Sequence, residues 1–539
     1  MNNNDLVAKL WKMCDTLRDG GVSYQNYVNE LATLLFLKMT EQTGTEADLL
    51  PQGMRWNDLK GKIGLDQLQF YRNMLVQLGN DDHAIVRAIF QNVNTTITNA
   101  GQLTELVTTM DSLDWYESGD DENIVKTRDD FGDMYEGLLQ KNANETKSGA
   151  GQYFTPRPLI ETMVRLLKPQ PREIIQDPAA GTAGFLIEAD KYIKSQTNDL
   201  DDLDDDTQEF QMKRAFVGLE LVPETRRLAL MNCLLHDIEG NDELGGAIRL
   251  GNSLGNDGEN LPKANVILTN PPFGSASSTN ITRTFVYPTS NKQLCFMQHI
   301  YNSLEPGGRA AVVIPDNVLF EGGRGAEIRT DLMHKCNLHT ILRLPTGIFY
   351  AAGIKTNVLF FQKGTVDNPH QDKDCTTNTW VYDLRTNMQT FGKRSPFTHK
   401  YLESFEAVYG SDANGQAKRE EGVYNILGCT TPINDEDIKN TDSSELIENA
   451  RWRKFSREFI KAKNDSLDIT WLKDNSVTDA ANLPEPDVLA TQAMTELTEA
   501  LREMNQLMIE LGAIDQAEGQ VALLAEEFGL EKKVIEGEV

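Results

Sequence analysis

The spacing of apolar residues changes along the chain and predicts regions of different architecture. Over residues 1 to about 145, apolar positions recur every three or four residues, which is typical of amphipathic helices. Two such stretches are separated by Gly20-Gly21, and their apolar residues are Leu6, Leu10, Met13 and Leu17, then Tyr27, Leu31, Leu34 and Leu35. A polar stretch at 117–130 predicts a loop. The pattern therefore predicts a helical N-terminal domain at 1–145.

From about 146 to 385, short apolar runs alternate with amphipathic segments. The runs are Glu173–Gln176, Ala215–Leu219, Ala247–Leu250, Ala264–Thr269, Arg309–Ile314, Leu338–Leu344 and Asn357–Phe361. The helix-like stretches include Pro158–Leu167, Glu224–Asp237, Lys292–Leu304 and Glu327–Cys336. This alternation predicts an α/β domain with a doubly wound sheet. The acidic run at 199–206 that interrupts it predicts a solvated surface loop.

The last third of the chain divides into two parts. Residues 386–480 are polar and form an extension of uncertain structure. The sequence predicts an acidic helical tail at 481–539, whose helical stretch follows Pro484 and Pro486. Its apolar stripe consists of Leu489, Met494, Leu497, Leu501, Met504, Met508 and Leu511. From residue 480 onward the chain has 13 acidic residues and only 3 basic ones. An apolar stripe on an acidic helix suits packing against a partner helix. The alternative is that the stripe packs on the chain's own core.

The net charge of the chain limits how it could bind nucleic acid. The 539-residue chain has a net charge of −29, whereas a protein that grips DNA alone usually presents a basic surface. If the chain acts on nucleic acid, a local basic patch or a partner must supply the contact. No apolar run is long enough to span a bilayer, and the first residues lack a secretory pattern. Six widely separated cysteines predict free thiols in a reducing cytoplasm, and the seven histidines form no metal-binding motif.

A turn of small residues follows the first predicted strand. In Asp177-Pro178-Ala179-Ala180-Gly181-Thr182-Ala183-Gly184-Phe185, residues 179–184 let a ligand approach the backbone, and the helix start offers N–H groups. The next strand ends at Glu220, whose carboxylate can accept hydrogen bonds from both hydroxyls of a ribose. Each feature alone also suits plain packing or an ordinary strand end, but their succession favours cofactor binding.

The sequence Asn270-Pro271-Pro272-Phe273 directly follows the predicted strand Ala264–Thr269. Two prolines fix the backbone and end the strand. The Asn270 side-chain oxygen and the Pro271 carbonyl can each accept one hydrogen of a planar exocyclic amine, and Phe273 can stack on its ring. Held in this way, the nitrogen exposes its lone pair to an in-line methyl sulfonium. The ring also favours the positive charge that develops on nitrogen.

With these motifs the sequence resembles the N6-adenine DNA methyltransferases, and more narrowly the modification (M) subunits of type I restriction-modification systems, close to the enteric K family. The similarity covers nearly the whole chain, with the cofactor motifs before the catalytic motif, as in the gamma arrangement. It implies a methyltransferase sheet with S-adenosylmethionine as cofactor, and transfer to the N6 atom of an adenine flipped out of a specific duplex sequence.

The resemblance also implies roles for particular residues. Asn270, Pro271, Pro272 and Phe273 are similar to the catalytic motif. The cofactor-binding set comprises Gln152, Tyr153, Phe154, Thr155, Pro156 and Arg157, which are similar to the segment against the methionine moiety, with Asp177, Ala179, Gly181, Thr182, Ala183, Gly184 and Glu220. Ala183 stands where the family often has glycine, and its methyl group is tolerated if φ is negative. Asn252 stands where relatives often place an aspartate that touches the cofactor adenine.

The resemblance further implies partners. In this family a separate specificity (S) subunit recognises the target, two M subunits flank one S subunit, and a restriction (R) nuclease and translocase subunit joins the larger complex. Two alternatives remain open from the residues alone. One is a methyltransferase acting on RNA or on protein glutamine, since the same turn serves any planar amine or amide. The other is a catalytically inactive assembly subunit.

Overall fold

The structure is a computed structural model, and it describes residue 9 and residues 24–113, 132–139, 155–273, 281–349, 354–392, 395–422 and 450–474. A nine-stranded sheet forms its centre, in the order β3-β2-β1-β4-β5-β7-β6-β8-β9. The strands are β1 Ile175–Asp177, β2 Phe216–Glu220, β3 Ile248–Leu250, β4 Ala264–Thr269, β5 Leu304–Pro315, β6 Cys336–Arg343, β7 Thr356–Lys363, β8 Asn378–Asp383 and β9 Trp452–Ser456. All seven strands expected from the sequence are confirmed, with ends shifted by a few residues.

The sheet is mixed. Strands β3, β2, β1, β4 and β5 pair in parallel, whereas β7 runs antiparallel to both of its neighbours, β5 and β6. Strand β8 is parallel to β6, and β9 is antiparallel to β8. Because parallel neighbours end at one edge, the residues after β1, β2 and β4 are brought together there.

Helices cover both faces of the sheet. Helix α7 Arg157–Leu167 precedes β1. The helices between strands are α8 Gly184–Gln196, α9 Asp205–Lys213, α10 Pro223–Leu235, α11 Asn256–Glu259, α12 Lys292–Ser303, α13 Asp316–Phe320, α14 Arg324–Lys335 and α15 Glu403–Tyr409, and α16 Arg457–Ala462 follows β9. Alternate residues of a strand point to opposite faces. In β4, Val266 and Leu268 join one hydrophobic cluster, and Ile267 joins the other. Two cores, one per face, confirm the α/β class.

The helical N-terminal region packs on one of these cores. Its helices are α1 Tyr24–Gln42, α2 Glu46–Leu49, α3 Trp56–Lys60, α4 Gly64–Leu78, α5 Ala84–Phe90 and α6 Ala100–Ser112. Helices α1 and α5 contact α10, and Leu31, Leu34 and Leu35 of α1 are fully buried in the same cluster as Ile175 of β1. The first expected helix and the loop at 117–130 lie outside the described residues, apart from residue 9.

Two strands were not predicted from the sequence, and the second of them extends the sheet past residue 385. Strand β8 lies just before that point, and β9 lies within the polar stretch 386–480. Trp380 of β8 stacks on Trp452 of β9, with ring centroids 4.9 Å apart. Strand β9 reads Trp-Arg-Lys-Phe-Ser, and its two basic residues hide the apolar signal of an edge strand. The acidic run at 199–206 is a loop only up to Asp204, which caps α9 by accepting the Thr207 N–H.

Two further expectations can be compared with the structure. Cys233, Cys295, Cys336 and Cys375 are buried free thiols, as expected for the four cysteines within the described residues. Among the helices that the structure describes, none is both long and apolar enough to cross a membrane. The acidic tail at 481–539 lies outside the described residues.

Candidate active site

The glycine-rich turn joins the end of β1 to the start of α8. Asp177, at the end of β1, is buried, and its Oδ1 accepts the Ala179 N–H at 3.0 Å and the Thr269 hydroxyl at 2.6 Å. Burial raises the pKa of Asp177 to about 7, and the nearby charge of Glu220 acts in the same direction. The turn is therefore bonded directly to Thr269, which precedes Asn270.

Two residues of the turn have left-handed backbone conformations. Gly181 has φ +54°, and a Cβ placed on it would meet no atom within 4 Å, so the space above the turn is open. Ala183 has φ +70° and is fully buried. The condition that the sequence set for tolerating a methyl group at Ala183, a negative φ, is therefore not met. The chain needs the left-handed region to redirect into α8, and an alanine is held there at a cost of about 1–2 kcal/mol.

Glu220, at the end of β2, closes one side of the turn. Its Oε2 accepts the Gly181 N–H at 2.9 Å, and its Oε1 accepts the Val222 N–H at 2.9 Å. Burial raises the pKa of this carboxyl, although the two N–H groups lower it in part. The carboxylate is thus bonded to the backbone of the turn, and its contact with ribose hydroxyls stays a prediction.

Thr182 and Gly184 contribute to packing around the turn. The Thr182 carbonyl accepts the side-chain N–H of Asn232 at 3.0 Å, and Asn232 is fully buried on α10. A Cβ on Gly184, the first residue of α8, would lie 3.3 Å from Ile160 Cδ1. The lack of a side chain at Gly184 therefore allows close packing against α7. The sequence reading missed Asn232, and the one polar residue in an apolar helical run was the signal for it.

The turn Asn270-Pro271-Pro272-Phe273 leaves the end of β4 and meets the segment before α7. Asn270 Nδ2 donates to Thr155 Oγ1 at 2.9 Å, which fixes the orientation of the amide. Asn270 and Pro271 are buried, whereas Pro272 is exposed, and the Pro272 carbonyl accepts from Gln293 Nε2 at 3.3 Å. The structure therefore brings together Asn270 and Thr155, which are 115 residues apart.

Phe273 lies against a second aromatic residue that the sequence reading did not identify. The Phe349 ring meets it edge-on, with centroids 5.7 Å apart and planes at 82°. Phe273 is 5% exposed and Phe349 is 2% exposed. Phe349 follows β6, and its signal in the sequence was the aromatic pair Phe349-Tyr350.

The Arg157 side chain is paired with acidic side chains. It lies in an ion-pair network with the helical segment 132–139, where Nη1 is 2.6 Å from Glu136 Oε2 and Nη2 is 3.3 Å from Asp133 Oδ1. Lys191 contacts Asp133 as well. Asp133, Glu136 and His236 have ligand-type atoms within 4.8 Å of one another, but these two cations lie on the carboxylates. The network therefore anchors the start of α7, just after Pro156.

Asn252 uses its side-chain oxygen within its own loop. Oδ1 accepts the Leu254 N–H at 2.9 Å, while the Asn252 N–H donates to Asp257 at 2.9 Å. The neighbouring Ser253 hydroxyl donates to the Pro178 carbonyl, which ties this loop to the glycine-rich turn. The loop thus lies beside the candidate cofactor site. Gln152, Tyr153 and Phe154 lie outside the described residues.

Comparison with known proteins identifies the family of this chain. The N-6 DNA Methylase family matches residues 126–454, and the C-terminal domain of the type I restriction enzyme methylase subunit matches residues 483–526. The chain belongs to the type I restriction enzyme methylase subunits. The StySJI methylase subunit of Salmonella typhimurium and the EcoKI methylase subunit of Escherichia coli are each 71% identical over 531 residues, which cover 98% of this chain and 99% of the relative.

Solved structures agree with this assignment. The crystal structure of the EcoKI M protein is 64% identical and has a TM-score of 0.57, with 97% of this chain and 99% of that chain covered. A chain from a type I restriction-modification system, at 24% identity, shares the fold with a TM-score of 0.66 and covers 95% of this chain. This methylase subunit is therefore an adenine-specific N6 DNA methyltransferase of a type I restriction-modification system, which confirms the function expected from the sequence.

Proposed function

We propose that Asn270, Pro271 and Phe273 hold the target adenine, and that the turn at 177–184 with Glu220 holds S-adenosylmethionine beside it. One observation carries this proposal. Thr155 is bonded to Asn270, and Asp177 is bonded to Thr269, so the expected cofactor residues and the expected catalytic residues are joined by direct hydrogen bonds. Two halves of one transfer reaction need this proximity.

The residues of the turn fit the proposed cofactor. The open space above Gly181 admits a ligand close to the backbone, and Glu220 presents a carboxylate beside it for ribose hydroxyls. When bound, the cofactor supplies an electrophilic methyl group on a sulfonium. Glu220 would hold the ribose hydroxyls through its carboxylate oxygens, which in this structure accept the Gly181 and Val222 N–H groups.

The chain's own part in catalysis is to orient the amine. Asn270 Oδ1 and the Pro271 carbonyl each accept one N–H of the adenine amino group, and Thr155 keeps the amide from rotating. Both hydrogens are then drawn away from the plane of the ring, so the nitrogen lone pair is exposed. Phe273 packs against the base face and favours the charge that develops on nitrogen.

The proposal is tested by replacing Asn270. Asn270→Ala removes the side-chain acceptor, so single-turnover methyl transfer should fall about 10²–10³-fold, the range seen for a lost transition-state hydrogen bond. Asn270→Asp keeps an acceptor and should retain more activity than Ala. Cofactor affinity, measured by calorimetry, should stay unchanged in both variants. Equal turnover of Asn270→Ala and the parent would rule out the assigned role.

Family membership and the net charge of the chain both indicate that it works with partner subunits. We propose that this chain assembles with a specificity subunit, two copies to one, and that an R subunit joins the larger complex in the cytoplasm. The chain carries a net charge of −29, and it needs a partner to draw it to DNA. The match at 483–526 supports the tail as the assembly segment. Adenine must leave the duplex for its amino group to reach Asn270.

A further inference from the structure

A single guanidinium holds together the strand ends that lie next to the catalytic turn. Arg385 follows β8, and its side chain is 8% exposed. It forms a two-pronged pair with Asp316, with Nη1 2.8 Å from Oδ2 and Nη2 3.0 Å from Oδ1. Asp316 follows β5, the strand that pairs with β4, which leads to Asn270.

The same guanidinium also contacts both ends of the connection between β6 and β7. Nε donates to the Leu344 carbonyl at 2.9 Å, and Nη2 donates to the Thr356 carbonyl at 2.6 Å. Asn357 joins the group, since its Oδ1 accepts from Nη2 and its Nδ2 donates to Asp316. Arg385 therefore sets where this connection leaves the sheet and where it returns.

That connection carries Phe349, the ring that meets Phe273 edge-on. Its first part is also fixed beyond Leu344, because the Thr346 carbonyl accepts the Phe391 N–H at 3.1 Å. A Cβ on Gly347, where φ is +83°, would lie 2.1 Å from the Phe391 carbonyl oxygen, so the two backbones are in close contact. Phe349 is thus presented to Phe273 from a segment held at defined points.

We infer that Arg385 is a positioning residue for the target-base site, and that it acts through Phe349 on the Phe273 ring. A planar fork of five N–H donors is needed for these contacts, and a lysine ammonium cannot reproduce them. The turn at 177–184 lies on the other side of β4 in the strand order, so Arg385 serves the base and not the cofactor. This inference rests on the proposed roles of Asn270 and Phe273.

The test is a double-mutant cycle of Arg385→Lys and Phe349→Ala in the full chain bound to its specificity subunit. Each single variant should lower single-turnover methyl transfer about 10-fold, with less fluorescence from 2-aminopurine at the target position. The double variant should lose little beyond either single one, because coupled residues act as a unit. S-adenosylmethionine affinity should stay within about 2-fold of the parent in every variant.

Arg309 offers a matched control. It is also buried, pairs with both oxygens of Glu173, and donates to the carbonyls of Leu167 and Lys168, but away from the catalytic turn. Arg309→Lys should leave the transfer rate within about 2-fold, and its effect should multiply with that of Phe349→Ala. If Arg385→Lys unfolds the chain, Asp316→Asn takes its place in the cycle with Phe349→Ala. This substitution weakens the ion pair between Arg385 and Asp316 and keeps the guanidinium.

Three results would overturn the inference. The effects of Arg385→Lys and Phe349→Ala could be independent and multiply to about 100-fold, or Arg385→Lys could keep the parent rate. The third result is a loss of S-adenosylmethionine affinity in Arg385→Lys as large as its loss of methyl-transfer rate. Failure of the proposed function gives a different result, since Asn270→Ala would then keep the parent rate. The same rule applies to the Asp316→Asn cycle, where multiplying effects count against the inference and coupled effects support it.

Discussion

At the scale of single residues, two hydrogen bonds connect the proposed cofactor-binding residues to the segment that is proposed to hold the base. Thr155 accepts from Asn270, and Asp177 accepts from Thr269. Both bonds are buried, where a lost partner costs about 1–3 kcal/mol. Small changes at either position therefore report on the coupling between the two halves.

Thr155→Val removes the acceptor for Asn270 Nδ2 and preserves the shape of the side chain. We expect methyl transfer to fall about 10-fold, because the amide loses the contact that fixes its orientation. Thr155→Ser keeps the hydroxyl and should stay near the parent rate. Single-turnover kinetics at saturating cofactor distinguish these outcomes, and calorimetry shows whether cofactor binding has changed. Parent-like kinetics for Thr155→Val would remove Thr155 from this role.

Asp177 should make stability depend on pH. The pKa of its carboxyl is about 7 in the folded chain against 3.8 normally, so the folded state keeps a proton that the unfolded state has released. Stability from this group is therefore present below about pH 4 and is lost as pH rises to 7, by about 4 kcal/mol at most.

Asp177→Asn should abolish this dependence, because the amide oxygen can accept the same two bonds without a charge. Urea unfolding at pH 5 and pH 8 measures the difference. We expect the variant to gain more over the parent at pH 8 than at pH 5. An equal difference at both pH values would contradict the raised pKa.

At the scale of elements, the turn into α8 depends on a backbone conformation that alanine rarely adopts. Ala183 and Ala189, within α8, are both fully buried, but only Ala183 has a positive φ. The two positions therefore separate the effect of backbone strain from the effect of losing a buried methyl group.

Ala183→Gly should leave the free energy of unfolding within about 1 kcal/mol of the parent, because relief of strain offsets the lost methyl group. Ala189→Gly, in the helix interior, should cost about 1 kcal/mol more than Ala183→Gly. Thermal and urea unfolding of the two variants provide the comparison. Equal losses at both sites would show that Ala183 carries no strain.

At the scale of the whole molecule, acidity and family membership support the proposal that DNA recognition belongs to an assembly. The tail has 13 acidic and 3 basic residues from position 480 onward, and the family's C-terminal domain matches 483–526. The apolar stripe and the acidic composition that the sequence predicts for this tail suit a protein partner better than a phosphate backbone.

Deletion of residues 486–539 should abolish assembly with the specificity subunit and leave cofactor binding at 177–184 intact. Size-exclusion chromatography with light scattering measures the first, and calorimetry the second. The full chain alone should show no sequence-specific adenine methylation. A truncated chain that still assembles, or specific methylation by the purified single chain, would contradict the proposed division of labour.

The sequence by itself determined the local features of this protein. Alternating apolar runs predicted seven of the strands, and the Asn270–Phe273 turn and the turn at 177–184 were visible, because such patterns depend on near neighbours in the chain. Strand β9 escaped because two basic residues interrupt its apolar pattern, whereas the Thr-Trp-Val-Tyr run of β8 carries a strand signal that the prediction did not use. Only the tertiary structure decided that Thr155 meets Asn270, that Phe349 meets Phe273 and that Arg385 spans three strand ends. Those contacts join residues far apart in sequence, and strand order, which local periodicity does not encode, brings them together.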